Sequence, residues 1–412
     1  SIPALAALTA LVMMAGNTRA QEVDHVHLSK SESLQFDTIL EQAMLQSPAY
    51  RELAVRSQEA QDYQGVGRSW IAGRPSVQVE YIDDSSLTDI GNTELTYGIA
   101  LPIWRPGERG DMQALGQSYS SQAGDWLRQF KLDTAGKLRA SLAALHEAET
   151  LLALEQQATQ GAAELLRITE VLFKAGEAAQ LDVMQARNLL LAQRRNELNA
   201  DAMRVDAQRS YAILTGLTVA PANPHRETRV MSEEVAADHP LLQYLQRSID
   251  LQEGNLHRAE ILAKGSPTIT LGSRRQRANN LSDYEDALAV SVSIPFGGSS
   301  FVGTAGSAAR RAKVDAEVEY FTARRDLNAQ LHEVEHQLFT LDQALPLSEE
   351  QATLSRQQWE MARSAFQLGE TDISRVVIAM LQARASAKDF ETLSMQYQRL
   401  ITESNQILGV LP

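Results

Sequence analysis

Several features common in other proteins are absent or scarce in this sequence of 412 residues. It contains no cysteine, which excludes disulfides, thiolate zinc sites and a lipid anchor on an N-terminal cysteine within these residues. Aromatic residues make up only 6% of the chain, whereas Ala, Leu, Gln, Glu and Arg are plentiful. That composition is typical of long helices with mixed-charge faces. A net charge of −14 argues against a nucleic-acid partner.

The N-terminal segment differs from the rest of the sequence. Residues 4–16 form an apolar run too short to span a bilayer, and small residues at Thr18 and Ala20 follow it. This pattern predicts an export signal over residues 1–20, with a mature chain beginning near Gln21; an ordinary buried segment is the alternative. The stretch Asp24–His27, "DHVH", could capture a metal ion, but a short His pair without further ligands favours a polar tail.

The remainder of the chain is a tandem duplication. Its two halves repeat the same motifs in the same order, such as "FKAGEAAQLDV" at 173–183 and "FQLGETDISRV" at 366–376. We therefore predict a first repeat over residues 21–217, a linker over 218–238 and a second repeat over 239–412. The spacing between equivalent residues is 192 for Pro48/Pro240 and Pro75/Pro267, and 193 for Pro102/Pro295, Gly176/Gly369 and Gly216/Gly409.

Each half is predicted to contain an opening helix, two strands, a very long helix, a glycine turn and a last helix. The long helices are expected near 107–174 and 302–368, with Pro346 interrupting the second one and Ser348 starting it again. Strands with one apolar and one small or polar face are expected in "SVQVEY", "LTYGIAL", "TITLGS" and "ALAVSVSIPF", with polar loops at 82–92 and 274–286. Heptad spacing indicates coiled-coil packing of the long helices, through Leu327, Leu331, Val334, Leu338, Leu341 and Leu345 in the second and Leu138, Leu142, Leu145 and Leu152 in the first.

One motif suggests an enzyme. "HEVEH" at 332–336 has the His-Glu-x-x-His spacing of zinc peptidases, with Glu333 as the general base. On the heptad, however, His332, Glu333 and His336 fall on the polar face, and no third ligand follows in a recognisable arrangement. We therefore expect a solvated helix face, no metal site and no cofactor; a zinc peptidase is the minor alternative.

The four strands have the length of tilted transmembrane β-strands. An open four-stranded sheet leaves backbone groups unpaired at its edges, which lipid does not tolerate. Three copies would give twelve strands, a number that closes into a barrel, and would bring the long helices together below it. A coiled-coil structural or adhesive surface protein is the alternative, although it would not place strand pairs in both halves.

The duplication, the strand ends "LPIWRPGERG" and "IPFGGSSFVG" and the two Phe-x-x-Gly-Glu turns resemble the TolC family of outer membrane efflux proteins. The resemblance implies a mixed α/β membrane protein: a homotrimer with a twelve-stranded outer-membrane barrel and a long periplasmic α-helical barrel. It implies an exit duct in the outer membrane of a Gram-negative bacterium, working with a periplasmic adaptor and an inner-membrane, proton-driven pump. The stretches "LPIWRPGERG" at 101–110 and "LPLSEEQ…AFQLGE" at 345–370 most resemble the heavy-metal efflux branch, which would make the cargo heavy-metal cations.

The helical turns are the expected functional sites. The adaptor is expected to contact the tips at Gly176, Glu177, Leu181, Val183, Gly369, Ile373 and Val376. A cation-selective periplasmic gate is expected from Asp182, Glu370, Asp372 and Arg375. The second tip departs from the family pattern, because Arg375 occupies the place equivalent to Asp182; we expect Arg375 to pair with Asp372. Near the strand ends, Trp70, Trp104 and Phe296 are expected to form an aromatic girdle, with ordinary packing as the alternative for Trp70.

Overall fold

The structure, a computed structural model, describes residues 27–84 and 90–411. The export signal predicted for residues 1–20 lies outside the described residues, as does the Asp24 end of the "DHVH" stretch. The elements, numbered in chain order, are β1 Ser29–Ser31, α1 Phe36–Gln46, α2 Glu52–Arg68, β2 Ser76–Asp83, β3 Thr93–Pro102, α3 Glu108–Ala175, α4 Gln180–Thr215, β4 Val219–Pro221, α5 Pro240–Ala263, β5 Thr268–Arg277, β6 Glu285–Ser293, α6 Ser299–Ala305, α7 Ser307–Gln367 and α8 Ile373–Ile407, with a 3₁₀ turn at Pro48–Arg51.

The heptad seams pack as expected. In the second repeat Leu331, Val334 and Leu338 are buried against α8 residues such as Leu400 and Ile401. In the first repeat the equivalent leucines pack against α1 and α4. The long helices are thus held by an apolar stripe along their length rather than by a single compact core. None of the helices in the described part of the chain has the length and apolar character needed for a transmembrane span.

The expected break at Pro346 is wrong. Helix α7 continues through Pro346, which lies on the exposed side of the helix, where water can bond the carbonyl that the proline leaves without a donor. Ser348 does not begin a new helix; its hydroxyl donates to Asp389 on α8 at 3.3 Å. The beginning of the long helix also differs from the expectation, because the short helix α6 precedes α7 and Gly306 separates the two helices.

The four long strands form one antiparallel sheet in the order β2-β3-β5-β6, so each repeat contributes one hairpin. The strands reach further into the predicted polar loops than expected. Arg277 on β5 pairs with Thr93 on β3, and Gln276 on β5 pairs with Glu285 on β6. The strand pairing therefore extends to the ends of these strands. Where the two repeats meet, a side chain at Gly272 would come within 2.1 Å of the Tyr97 carbonyl oxygen, so this close approach of β3 and β5 requires glycine.

Candidate functional site

The sheet has two chemically different faces. On one face the register aligns Val79, Tyr97 and Leu288, and most side chains of this face are exposed. On the other face it aligns Glu80, Thr96 and Arg274, together with small residues. One face therefore suits lipid and the other suits water. The apolar side chains of the face that suits lipid are Val77, Val79, Tyr81, Leu95, Tyr97, Ile99, Leu101, Ile269, Leu271, Leu288, Val290 and Val292.

Aromatic side chains lie near both ends of the apolar face. Trp70 and Phe296 are strongly exposed near one end, and Tyr81 and Tyr284 are exposed near the loops at the other. Trp104 departs from the predicted girdle, because its side chain is half-buried and its indole Nε1 donates to the Ser69 carbonyl at 3.1 Å. Phe296 follows the end of β6 and does not belong to the strand itself.

The two glycine turns have the same backbone conformation. Gly176 and Gly369 adopt φ of 82° and 77°, the left-handed region in which glycine avoids the steric cost of a side chain. In each turn the amide after the glycine donates back to the helix it leaves, from Glu177 to Leu172 at 2.9 Å and from Glu370 to Ala365 at 2.8 Å. These bonds close the ends of α3 and α7, which explains why both hairpins reverse at the same point.

The side chains that follow the turns differ in their burial. Leu181 in the first tip is 63% exposed and Val183 is half-buried, so both remain accessible as expected. Ile373 and Val376 in the second tip are 2% and 0% exposed, and their expected place on an adaptor-contact surface is wrong. They fill a core that α3, α4, α7 and α8 build together, with Ala162, Leu165, Ile168, Ala186, Leu189, Leu190, Phe366 and Met380.

The acidic residues of the tips mostly bind their own helix ends. Asp182 accepts a hydrogen bond from the Ala179 amide at 2.8 Å. Asp372 accepts one from the Arg375 amide at 3.1 Å, and its carboxylate lies 3.6 Å from the Arg375 guanidinium, in the predicted pair. Both carboxylates thereby stabilise the free amides at the N-terminus of a helix. Glu177 and Glu370 are exposed.

Two buried ion pairs were not predicted from the sequence. Arg139 and Glu227 pair at 2.7 Å with side chains only 3% and 10% exposed, which fastens the linker to α3. Burial by itself raises the pKa of Glu227, but hydrogen bonds from His225, Arg139 and Asn405 outweigh it and lower the pKa from 4.5 to about 2. Glu227 is therefore charged in the folded protein across the physiological range.

The second pair joins the two repeats. The Glu155 carboxylate on α3 accepts hydrogen bonds from the Arg384 guanidinium on α8 at 2.6 and 2.8 Å. Glu155 continues the heptad seam of Leu138, Leu142 and Leu145. An acidic residue at a heptad position that is otherwise apolar is the sequence feature that could have predicted a buried ion pair. Arg139 gave no such signal, because its partner is distant in the sequence.

The "HEVEH" stretch lies on the surface of α7. His332, Glu333 and His336 are exposed, whereas Glu335 pairs with Arg229 and accepts a hydrogen bond from Ser404 at 3.0 Å. Within residues 27–84 and 90–411, no group of three or more His, Asp or Glu side chains is arranged to hold a metal ion. The motif is therefore part of a solvated helix face with one structural ion pair.

Comparison with known proteins agrees with this geometry. The family model described as "Outer membrane efflux protein" matches residues 39–217, which is most of the first repeat. No curated protein is similar enough in sequence to match the chain. The first repeat therefore carries the sequence signature of this family.

Solved structures share the fold over almost the whole chain. The channel OprN is 17% identical, with a TM-score of 0.72 and 94% of each chain covered. VceC of Vibrio cholerae is 14% identical, with a TM-score of 0.72 and coverage of 91% of this chain and 96% of that one. CusC, described as forming a transmembrane channel, is 14% identical, with a TM-score of 0.72 and coverage of 91% and 92%. Both repeats thus carry the TolC-like fold of outer membrane channels.

Proposed function

We propose that this chain, which has a TolC-like fold, is an outer membrane efflux protein that works as a homotrimeric exit duct, conducting substrate passively from the periplasm to the cell exterior. The sheet lies in the outer membrane and the helices extend into the periplasm. The observation that supports this proposal is the segregation of the sheet faces, which gives every long strand one side for lipid and one for water.

Trimerisation follows from the sheet edges. Within the described residues β2 and β6 each pair on one side only, which leaves backbone donors and acceptors exposed along both edges. Lipid cannot satisfy those groups, so each edge needs a partner strand. Strands β2 and β6 run in opposite directions, because they are separated by three antiparallel pairings. The β6 edge of one copy therefore suits antiparallel pairing with the β2 edge of the next, and three copies supply twelve strands.

The helical tips are the proposed contact with a periplasmic adaptor, which would connect the duct to an inner-membrane pump. In the first tip Leu181 and Met184 are exposed, and in the second Leu368 is exposed beside Gly369, whereas Ile373 and Val376 are buried. Gly176 and Gly369 fix the turns, and Glu177 and Val183 flank the exposed apolar side chains. A coiled-coil adhesin is disfavoured, because strands from both repeats join into one sheet.

Heavy-metal cations are the substrate class we favour. The polar face of the sheet carries Glu80, Glu94 and Glu285, whereas Arg274 on that face is neutralised by Glu94 at 2.8 Å. An excess of carboxylates lining a pore attracts cations and repels anions. At the periplasmic end the exposed Glu370 is the carboxylate best suited to a gate ring, because Asp372 and Asp182 are engaged as helix caps.

Cross-linking and conductance test the duct directly. Because the chain has no cysteine, a cysteine at Gln78 combined with one at Ala287, Ala289 or Ser291 should link β2 of one copy to β6 of the next. At least one pair should produce covalent trimers, whereas Gln78→Cys alone should not. The purified trimer should form cation-preferring channels in a planar bilayer, and Glu80→Gln with Glu285→Gln should reduce that preference. A folded, detergent-stable monomer without conductance would contradict the proposal.

A further inference from the structure

Two arginines break the apolar character of the lipid-suited face of the sheet. Arg275 pairs in register with Leu95, and Arg277 pairs with Thr93, so both lie on the same face as Leu271 and Ile99. A charge facing lipid costs free energy unless it lies near the membrane surface, where the cost is small. Their position, at the loop end of the apolar band, corresponds to that surface.

The two guanidinium groups converge on one tyrosine. The guanidinium carbon of Arg275 lies 4.9 Å from the ring centroid of Tyr284, and that of Arg277 lies 5.2 Å from it. Cation–π contacts of this kind hold arginines in place while leaving their N–H donors available. Tyr284 therefore arranges two positive charges side by side.

Asp83 and Asp286 are the strand carboxylates that share this face with the two arginines. Asp286 lies 3.7 Å from Arg275, a distance longer than a good hydrogen bond, and Arg277 donates to the neutral amide oxygen of Asn280 at 3.1 Å. The Arg277 Nε is shielded from solvent and has no hydrogen-bond partner among the described residues. Because this atom is buried, an incoming acceptor would bind the terminal N–H groups of the two guanidinium groups rather than the Nε.

Arg274, between Gly272 and Gln276 on the opposite face, shows the contrast. Its guanidinium donates to Glu94 at 2.8 Å, so its charge is satisfied inside the protein. The neighbouring arginines thus differ in the face on which they lie and in their partners. Arg274 lies on the polar face and donates to Glu94, whereas Arg275 and Arg277 lie on the apolar face and contact the ring of Tyr284.

We infer that Arg275, Arg277 and Tyr284 form a binding site for the phosphorylated headgroup of a lipid in the outer leaflet. Guanidinium groups bind phosphate oxygens through paired, charge-assisted hydrogen bonds. The adjacent apolar surface of Leu271, Leu288 and Val290 would accommodate acyl chains. This inference rests on the proposed function, because it requires the apolar face of the sheet to face the membrane.

Binding of purified lipid to the detergent-solubilised full-length trimer tests the site, with native mass spectrometry as the readout. The probe is bisphosphorylated lipid A, compared with the same lipid after removal of its phosphates and with inorganic phosphate as competitor. We expect Arg275→Gln with Arg277→Gln to weaken binding of the phosphorylated lipid by about tenfold or more. The matched control Arg274→Gln, on the opposite face, should bind as the wild-type protein does.

Three results would overturn the inference: unchanged lipid affinity in the double variant, equal affinity for the dephosphorylated lipid, or displacement by inorganic phosphate as effective as by the lipid itself. The last would indicate a free-phosphate site. Conductance of the same preparations separates this question from the duct proposal. Wild-type protein that conducts but does not distinguish the two lipids refutes the lipid site alone, whereas protein that fails to insert refutes the proposed function.

Discussion

The two helical tips have the same turn and opposite surroundings. Phe173 and Phe366 are 193 residues apart and occupy equivalent places before the glycine, yet Phe173 is 44% exposed and Phe366 is 5% exposed. After the glycine, Val376 is fully buried, whereas its equivalent Val183 is half-buried. In the second tip the apolar residues that follow the glycine thus complete an internal core, whereas in the first tip Leu181 remains exposed.

The helix caps also differ between the two repeats. Asp372 occupies the position equivalent to Ala179, and Arg375 occupies the position equivalent to Asp182. Each repeat nevertheless supplies one carboxylate to the start of its last helix, from before the helix in one case and from within its first turn in the other. The function of a cap is preserved while the residue that performs it has changed place.

The largest expected effect is in the tip core. Phe366→Ala should lower the free energy of local unfolding of the α7–α8 hairpin by about 3–5 kcal/mol, because it leaves a cavity among Leu165, Leu190 and Ile373. Hydrogen exchange of the tip amides measures this local opening. Phe173→Ala is the matched control and should cost less than about 1 kcal/mol, in keeping with its exposure. Equal losses in the two variants would mean that the tips are packed alike.

A similar contrast exists halfway along the helices, where the equivalents are the buried Arg139 and the exposed His332. Glu227→Gln should destabilise the linker contact by about 3 kcal/mol, because it leaves the Arg139 guanidinium buried without a counter-charge. Protease sensitivity of the 218–238 linker is the readout. His332→Ala, at the place equivalent to Arg139 in the second repeat, should leave the protease sensitivity of the linker unchanged. A similar increase in protease sensitivity in both variants would contradict the contrast between the two positions.

Acid should weaken the same contact. The folded pKa of Glu227, about 2, lies below its ordinary value of 4.5, so the pair contributes its full stability above pH 4.5. That contribution should be lost progressively as the pH falls from 4.5 towards 2. Proteolysis of the linker followed over this range should increase in the wild-type protein and should change much less in Glu227→Gln. Parallel pH profiles would contradict the assignment to Glu227.

Export should depend on the exposed tip rather than on the packed one. Leu181→Glu places a charge in the apolar patch of the first tip and should reduce adaptor affinity by about tenfold or more while trimers still form. Resistance of a complemented deletion strain to zinc, cadmium and copper salts and to a panel of antibiotics is the measurement. Ser374→Glu, at the equivalent and also exposed position of the second tip, is the control. Loss of resistance only with Ser374→Glu would reverse the assignment of the tips.

The smallest expected effect concerns the caps. Asp372→Ala and Asp182→Ala should each cost about 1 kcal/mol of local stability, because each leaves amides at a helix start without an acceptor. Exchange rates at the first turns of α8 and α4 measure both. Arg375→Ala should have a smaller effect, since the exposed ion pair adds little to the amide bond. A larger effect from Arg375→Ala would assign it a contact beyond its own tip.

The features predicted correctly from the sequence are those with a local signal. Strand alternation gave the two faces of the sheet, and the glycines at 176 and 369 gave the turns, because a left-handed backbone conformation favours glycine. The pairing of Arg375 with Asp372 followed from helical spacing alone. The failures depend on contacts between distant segments: Ile373 and Val376 are covered by α3 and α4, and no local pattern distinguishes a covered tip from an open one. The helix break predicted at Pro346 was wrong because a proline on the exposed side of a helix does not need to end it, and packing against distant segments decides which side is exposed.

Thiol labelling at Gln78 and Val79 in intact cells tests the central claim, that the sheet lies in the membrane with its polar face towards water. The two residues are neighbours on β2, and the register directs them to opposite faces. A membrane-impermeant maleimide should label Gln78→Cys rapidly, and lipid should protect Val79→Cys, with no background from a chain that has no native cysteine. Equal labelling of both positions, or labelling of Val79→Cys alone, would contradict this account of the protein.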